Sequence, residues 1–451
     1  MLPSSAPTTT TRDATPTNIR ALCIAAVDFS IANRPNLGDA LFYPERDAPI
    51  KTSLIPTTTM DAWSLPEYDL MAAPRLLTTF SKHFSAGDFP RSAKWSCDGS
   101  ALLIHCENRS ILVVDPETGT TQTLLQSAPI VDCAWYPTAS TSNPTAFCLV
   151  ASVRETPVKL LDASDGRLRA SYRIVDHRER QIAPHSLAFN PMATQLYCGF
   201  ESAIEVFDVS KPGDEGLRLL TSPTKKSKDG LKGIISALAF QTIYDGSALY
   251  AAGSLSATSC NIAVYSGEDD KAIPLLFLGG GPLAAVTQLK FNPAHPHILY
   301  ASFRRHRAIY AWDLRGPCDI PITVFSAAAE DQTRVARNEE TNQKRLFDVN
   351  VGGRYLAVGD QDGGIAIFDL NIASTGTVAG PRAMPVLRFP AHGDAIGAVA
   401  FHPTLPRLVS VGGSRHFDWD SGWNSSEEDE GEEGGERRHP ERENDSDNAQ
   451  N

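Results

Sequence analysis

From about residue 75 onward, apolar and polar positions alternate with a period of two in short runs, and the runs recur. One recurring run carries a large aromatic or apolar residue and is often followed by Pro. It reads SAKWS (Trp95), DCAWYP (Trp135), HSLAFNP (Phe189), SALAFQ (Phe240), TQLKFNP (Phe291), LFDVN (Val349) and GAVAFHP (Phe401), at intervals of 40 to 58 residues. A second run follows each of the first six copies and ends in Asp or Ser: ILVVD, VKLLD, IEVFD, IAVYS, IYAWD and IAIFD. Between them lie runs ending in small residues, such as CLVAS, LYCGF, LYAAGS, ILYAS, YLAVG and RLVSVGG. Short alternating runs bounded by Gly, Pro, Asn or Asp predict strands joined by tight turns.

Repetition on this scale predicts a repeat architecture, each unit too small to bury its own apolar face. The pattern matches an all-β, seven-bladed WD-repeat β-propeller, with one blade per copy of the first strand. Trp312-Asp313 supplies a literal WD pair. The seventh copy lacks a clear fourth strand, and PRLLTTF (Pro74 to Phe80) supplies it in this reading, closing the ring against the last blade. The predicted division is 1–20 disordered, 21–74 an irregular N-terminal extension, 75–418 the propeller, and 419–451 an acidic disordered tail. A Thr- and Pro-rich start and a block of like charges cannot bury enough apolar surface to offset ordering.

The formal charge of −12 changes this picture little. Ser425 to Asn451 holds eleven acidic and three basic residues, so the tail carries −8 and the remaining chain −4. That near-neutral body neither advertises nor excludes a nucleic-acid partner. The eight Cys include no C-x-x-C pair and fall mostly in strand-like runs, which predicts buried free thiols in a reducing compartment. No run approaches the 18 or so apolar residues of a membrane span, and the start lacks a signal-peptide core, so a soluble intracellular chain is expected. Gly279–Gly281 is followed by no Lys-Ser/Thr and reads as a turn, not a phosphate loop. No nucleophile elbow or metal-spaced His pair is readable, so no enzyme activity, cofactor or small-molecule substrate is expected.

Residues 150 to 240 carry a more specific signal. VASVRETPVKLLDASDGRLRASYRIVDH (150–177) is followed by APHSLAFNPMATQLYCGF (183–200), GIISALAF (233–240) and, in the last repeat, HPTLPRL (402–408). The off-pattern residues Arg154-Glu155, Asp162-Ala163, Gly166, Leu168-Arg169-Ala170, Tyr172-Arg173, His177, His185-Ser186-Leu187 and Cys198-Gly199-Phe200 make this chain resemble the telomerase Cajal body protein family, together with its fungal splicing-associated relatives. The resemblance runs from about 75 to 420 and implies a nuclear, non-enzymatic scaffold. Its partners would be small nuclear, guide or telomerase-type RNA and ribonucleoprotein proteins, with a link to pre-mRNA splicing in the fungal branch. The chain departs from that pattern in its short N-terminus and in the segments 221–232 and 327–344. A protein-only scaffold in a nuclear splicing or chromatin complex is the alternative reading.

Candidate RNA-binding residues follow from charge and position. Arg154 stands at a blade turn, where it either contacts phosphate or base edges or pairs with Glu155. Arg169, Arg173 and His177 have even spacing, which on one continuous strand would make a basic strip. Arg304, Arg305 and Arg307 flank His306 in a turn, interleaved with Tyr300, Phe303 and Tyr310, a composition that suits looped RNA. Lys225, Lys226 and Lys228, with Lys232, form a second cluster that reads as phosphate contact, import signal or solvated loop. His185 and His392 are read as structural histidines that bond a strand Ser or Thr. Ser425 and Ser426 precede acidic residues and are phosphorylation candidates whose modification would deepen the tail's charge.

Overall fold

In the computed structural model the described residues are 24–30, 64–79, 88–224, 227, 229–242, 249–268, 271–326, 342–371 and 382–415. Blade 1 comprises Pro90–Trp95, Leu102–Cys106, Ser110–Val114 and Thr121–Leu125. Blade 2 comprises Ile130–Trp135, Cys148–Val153, Val158–Asp162 and Leu168–Tyr172. Ser186–Phe189, Gln195–Phe200, Ala203–Asp208 and Leu217–Leu220 form blade 3, and Ile235–Phe240, Leu249–Ser254, Ile262–Ser266 and Pro274–Leu278 form blade 4. Blade 5 is built from Val286–Phe291, Ile298–Phe303, Ala308–Asp313 and Thr323–Ser326, and blade 6 from Asp348–Val349, Tyr355–Gly359, Gly364–Asp369 and Leu387–Pro390. All seven copies of the first recurring run are first strands, and those of neighbouring blades approach one another around the axis. No described helix could cross a membrane.

Blade 7 is assembled from both ends of the described chain. Ile396–Phe401 and Arg407–Gly412 are followed in the sheet by Ile24–Asp28 and then Arg75–Thr79. Arg75–Thr79 therefore closes the blade at its outer edge, but it pairs with Ile24–Asp28, not with the last repeat directly. By pattern alone Ile24–Asp28 falls in the irregular extension. Its run IAAVD is short and its neighbours give no repeat, so only pairing with Arg407–Gly412 reveals it as a strand. Part of the extension also packs in the core: Tyr68 lies edge-on to Tyr355 and Phe401, 5.5 Å from each, between blades 6 and 7.

Apolar residues on both faces of the inner strands are buried because each blade is covered by the next. The core divides into seven clusters among the described residues, one at each blade interface; Trp135 and Leu103 belong to that of blades 1 and 2, Val409 and Ile104 to that of blades 7 and 1. Specific bonds fix the stacking. Trp135 Nε1 donates to Lys94 O at 2.9 Å, and Trp95 Nε1 to Ala400 O at 3.1 Å, so each indole pins the previous blade one residue before its aromatic. Asp348 holds three blades together: it pairs with Lys290 of blade 5 and accepts the Phe401 N–H of blade 7 at 2.7 Å. Asp132 does the same for blades 1 and 3, through Lys94 Nζ at 3.4 Å and the Leu187 N–H at 2.9 Å.

The residue after each aromatic has its own task. Asn190, Asn292 and Asn350 each accept two backbone N–H bonds of the turn that follows, at 2.8–3.0 Å. In blade 7 the same place is taken by His402, whose Nδ1 accepts the N–H groups of Thr404 and Leu405 at 3.1 Å. Side chains that mimic a turn in this way are a general use of short polar residues.

Candidate nucleic-acid interface

The four strands of blades 1 to 6 run antiparallel in order, with Arg382–Ala383 added in parallel at the outer edge of blade 5, so the two kinds of connection emerge at opposite ends of each sheet. The turns between second and third strands, and the connections into the next blade, emerge where the first strands begin. Arg154 lies in such a turn of blade 2, and Arg304, Arg305 and Arg307 in that of blade 5. Arg173 and His177 lie in the connection from blade 2 to blade 3. All six side chains belong to exposed residues. Topology therefore gathers at one end residues that are up to 153 positions apart in sequence. Lys225, Lys226 and Lys228 fall outside the described residues, as do Ser425 and Ser426; the segment holding the lysines joins blades 3 and 4.

Both ends hold paired cations: at the first-strand end Arg180 pairs with Asp176 at 3.0 Å, Arg91 with Glu107 at 3.4 Å and Arg388 with Asp360 at 3.5 Å. At the opposite end, the Asp that closes the third strand takes a local cation. Asp162 pairs with Arg167 and Arg169, Asp208 with Lys211, Asp313 with Arg315 and Asp369 with Arg354, at 2.7–3.5 Å. At the first-strand end, the side chains of Arg154, Arg173 and Arg304 make no hydrogen bond or ion pair among the described residues. Glu155 does not brace Arg154; it sits at φ +61° in the turn. Arg305, at φ +62°, donates to Asn342 Oδ1 at 2.7 Å and remains exposed.

Three expectations need correction. Arg169 does not share a strip with Arg173 and His177, because the strand ends at Tyr172 and the even spacing stops there. Its guanidinium is held by Asp162 Oδ2 at 2.7 and 3.0 Å and by Pro144 O at 2.7 Å, at the opposite end of the blade. The aromatics near Arg304 are not stacking platforms: Tyr300 and Phe303 are 3% exposed, and Tyr310 meets Phe303 edge-on at 5.4 Å. Alternation places them inside because they stand on strands, while the arginines occupy the turn. His185 makes no side-chain hydrogen bond among the described residues, whereas His392 Nε2 lies 2.8 Å from Ser410 Oγ as the structural reading expects.

The Asp162 cluster predicts a stability effect. Hydrogen bonds from Ser164 and Arg169 outweigh the effect of burial and hold its carboxyl down at about 2. A depressed carboxyl contributes stability above pH 4 that is lost as pH falls toward 2. Arg169→Ala should therefore destabilise the protein by about 1–2 kcal/mol at neutral pH, with the deficit shrinking below pH 4. Urea melts at pH 7 and pH 3 measure both; equal deficits would refute the assignment.

Sequence reasoning did not reach the polar lining at the axis. A cavity of about 200 Å³ opens among the first strands, lined by Arg91, Ser92, Lys94, His105, Asp132 and Lys344 with residues of blades 3 to 5. The one available signal was a Lys or Asp just before or within a first strand, as in SAKWS and VDCAW, where an inward apolar residue is otherwise the rule. His185 lies close enough to Lys344 and Arg154 that burial and both cations lower its pKa. Among the described residues, no cluster of His, Cys, Asp and Glu has the arrangement of a metal site, and seven cysteines are free, four of them buried.

Fold and loop organisation together define the class: a seven-bladed WD-repeat propeller. No family model matches the chain. It is 30% identical to Telomerase Cajal body protein 1 of Mus musculus over 366 residues, 78% of this chain and 64% of the mouse protein. It is 29% identical to the Homo sapiens protein of that name over 372 residues, 79% of this chain and 62% of the relative. A more distant relative, Guanine nucleotide-binding protein negative regulator 1 of Schizosaccharomyces pombe, is 26% identical over 301 residues, 62% of this chain and 70% of its own length. The matched region is thus under two thirds of the length of the mouse and human proteins. Over its propeller, this chain is similar to the telomerase Cajal body proteins at about 30% identity.

Proposed function

We propose that the chain is a non-enzymatic nuclear scaffold that binds a small structured RNA, of small nuclear, guide or telomerase type, and supports assembly or localisation of its ribonucleoprotein. The names of its relatives support the ribonucleoprotein and nuclear setting. The observation that carries RNA binding is a set of exposed guanidiniums at the first-strand end, those of Arg154, Arg173 and Arg304, that have no carboxylate partner among the described residues. A guanidinium held free in a turn offers a planar donor fork to phosphate or base edges. Of the residues singled out by sequence, Arg154, Arg173, His177, Arg304, Arg305 and Arg307 form this interface. Arg169 is assigned to stability.

Anisotropy titration with a small nuclear or telomerase-type RNA hairpin tests this reading. Arg154→Ala combined with Arg304→Ala and Arg305→Ala should weaken binding about tenfold and reduce the slope of affinity against salt by about two to three. Arg315→Ala, at the opposite end, should leave binding unchanged. Equal loss in both variants, or no binding by the wild type, would favour the protein-only scaffold.

A further inference from the structure

The axial cavity collects more positive charge than its own carboxylates answer. Lys94 is matched: its ammonium reaches Asp132, 3.4 Å away, and Cys133 O. Arg91 has Glu107 at 3.4 Å. Asp132 is fully engaged, taking Lys94 and its neighbouring Cys133 N–H on one oxygen and the Leu187 N–H on the other. Lys344 lines the same cavity and makes no hydrogen bond or ion pair among the described residues. Burial, the largest effect, lowers its pKa; Asp132 attracts it from a distance and opposes that shift, while Arg91 and Lys94 repel it. Ser92 Oγ and the His105 ring also line the cavity without a side-chain hydrogen bond among the described residues. Burial and Arg91 hold His105 down at about 3, so its neutral ring keeps one N–H to offer.

Charges of one sign gathered in a low-dielectric cleft are costly unless an opposite charge joins them. The lining residues Arg91, Ser92, Asp132, Ser186, Ser236 and Lys344 lie at or near the starts of first strands or just before one, so the mouth opens at the end that carries Arg154 and Arg304. We propose that this mouth binds the terminal phosphate of an RNA, with Lys344 as its principal contact and Ser92 and His105 as further donors. The inference rests on the RNA-binding reading of the surrounding loops. A volume of about 200 Å³ is below that of an ordinary small-molecule pocket, which runs from about 300 Å³, and admits a phosphate rather than a nucleotide. An internal phosphate would have to bring a strand in on both sides; a terminal monoester enters alone and carries up to two charges.

The test uses the full chain and three versions of one short RNA, ending in a 5′-phosphate, a 3′-phosphate or hydroxyls at both ends. A phosphate end should bind about tenfold tighter than the hydroxyl form, and inorganic phosphate should compete away that advantage. Lys344→Gln should erase the preference while leaving the hydroxyl form's affinity intact; Arg304→Ala with Arg305→Ala should weaken all forms and keep it. The melting temperature of Lys344→Gln should equal or exceed that of the wild type, since a repelling charge is removed. Equal binding of all three RNAs would overturn the axial site and leave the loop interface standing. Binding of inorganic phosphate alone, with no RNA bound, would overturn both the terminal-RNA assignment and the RNA reading.

Discussion

Deleting the chain through Phe29 is expected to yield protein that does not fold into a closed ring. The deletion removes Ile24 from the cluster between blades 7 and 1, and Val27 and Phe29 from that between blades 6 and 7, each no more than 6% exposed. Full burial of such side chains contributes about 1.5–3 kcal/mol each. The lost strand also contributes the ladder to Arg407–Gly412, with Ile24 opposite Val411 and Asp28 opposite Arg407. Without it, Arg407–Gly412 becomes an open apolar edge, and Arg75–Thr79 has nothing to pair with. Loss of the folded species in size-exclusion chromatography is the predicted outcome. Val27→Asp tests the same closure without shortening the chain: an unpaired carboxylate in the core should cost about 3–5 kcal/mol and lower the melting temperature on the order of 10 °C. Arg75→Ala, on the exposed outer strand, should change little. A truncated chain that melted like the wild type would show that closure does not depend on this strand.

That closure marks where the sequence was legible. Within the repeats, alternation and the large aromatic or apolar residue of each copy predicted all seven first strands, because that residue is covered by the neighbouring blade. IAAVD stands about 380 residues from the inner strand it pairs with, and no local pattern records a pairing of that range. The same physics sorted the candidate site. Turn residues such as Arg154 and Arg304 were recognisable because nothing but solvent explains a cation there. Arg169 looked equivalent, yet Asp162 lies across the sheet, and a salt bridge between facing strands leaves no mark in the spacing. Tyr300 and Phe303 were misread because proximity in sequence to a basic turn says nothing about which side of the strand a ring occupies. Lys344 was hidden in a long segment whose destination only the ring defines.

Acidification should unfold the propeller earlier than its carboxylates alone require, and His402 makes the effect separable. Its ring is 5% exposed, lies 4.7 Å from that of Trp95, and uses Nδ1 to accept two turn N–H groups. Burial first, then Arg407, lower its pKa to about 4. A proton on Nδ1 would point at the Thr404 and Leu405 N–H groups, so protonation and the turn are incompatible. The unfolded chain takes up that proton near pH 6.5, the folded chain only near 4. Stability is therefore full above pH 6.5 and falls as pH drops toward 4, by about 3 kcal/mol for this residue. His105, held near 3 by burial and Arg91, falls in the same direction and extends the loss to lower pH. The chain itself supplies the control. Asn serves at the equivalent place in blades 3, 5 and 6, and in blade 5 the Oδ1 of Asn292 accepts the same pair of turn bonds, from the residues two and three positions on. His402→Asn should thus keep the turn and remove the titration. Its stability at pH 7.5 should stay within about 1 kcal/mol of the wild type, and its decline between pH 6.5 and 4 should be shallower by about one proton. Urea unfolding across that range gives both numbers; an unchanged slope would mean that His402 is already charged in the folded protein.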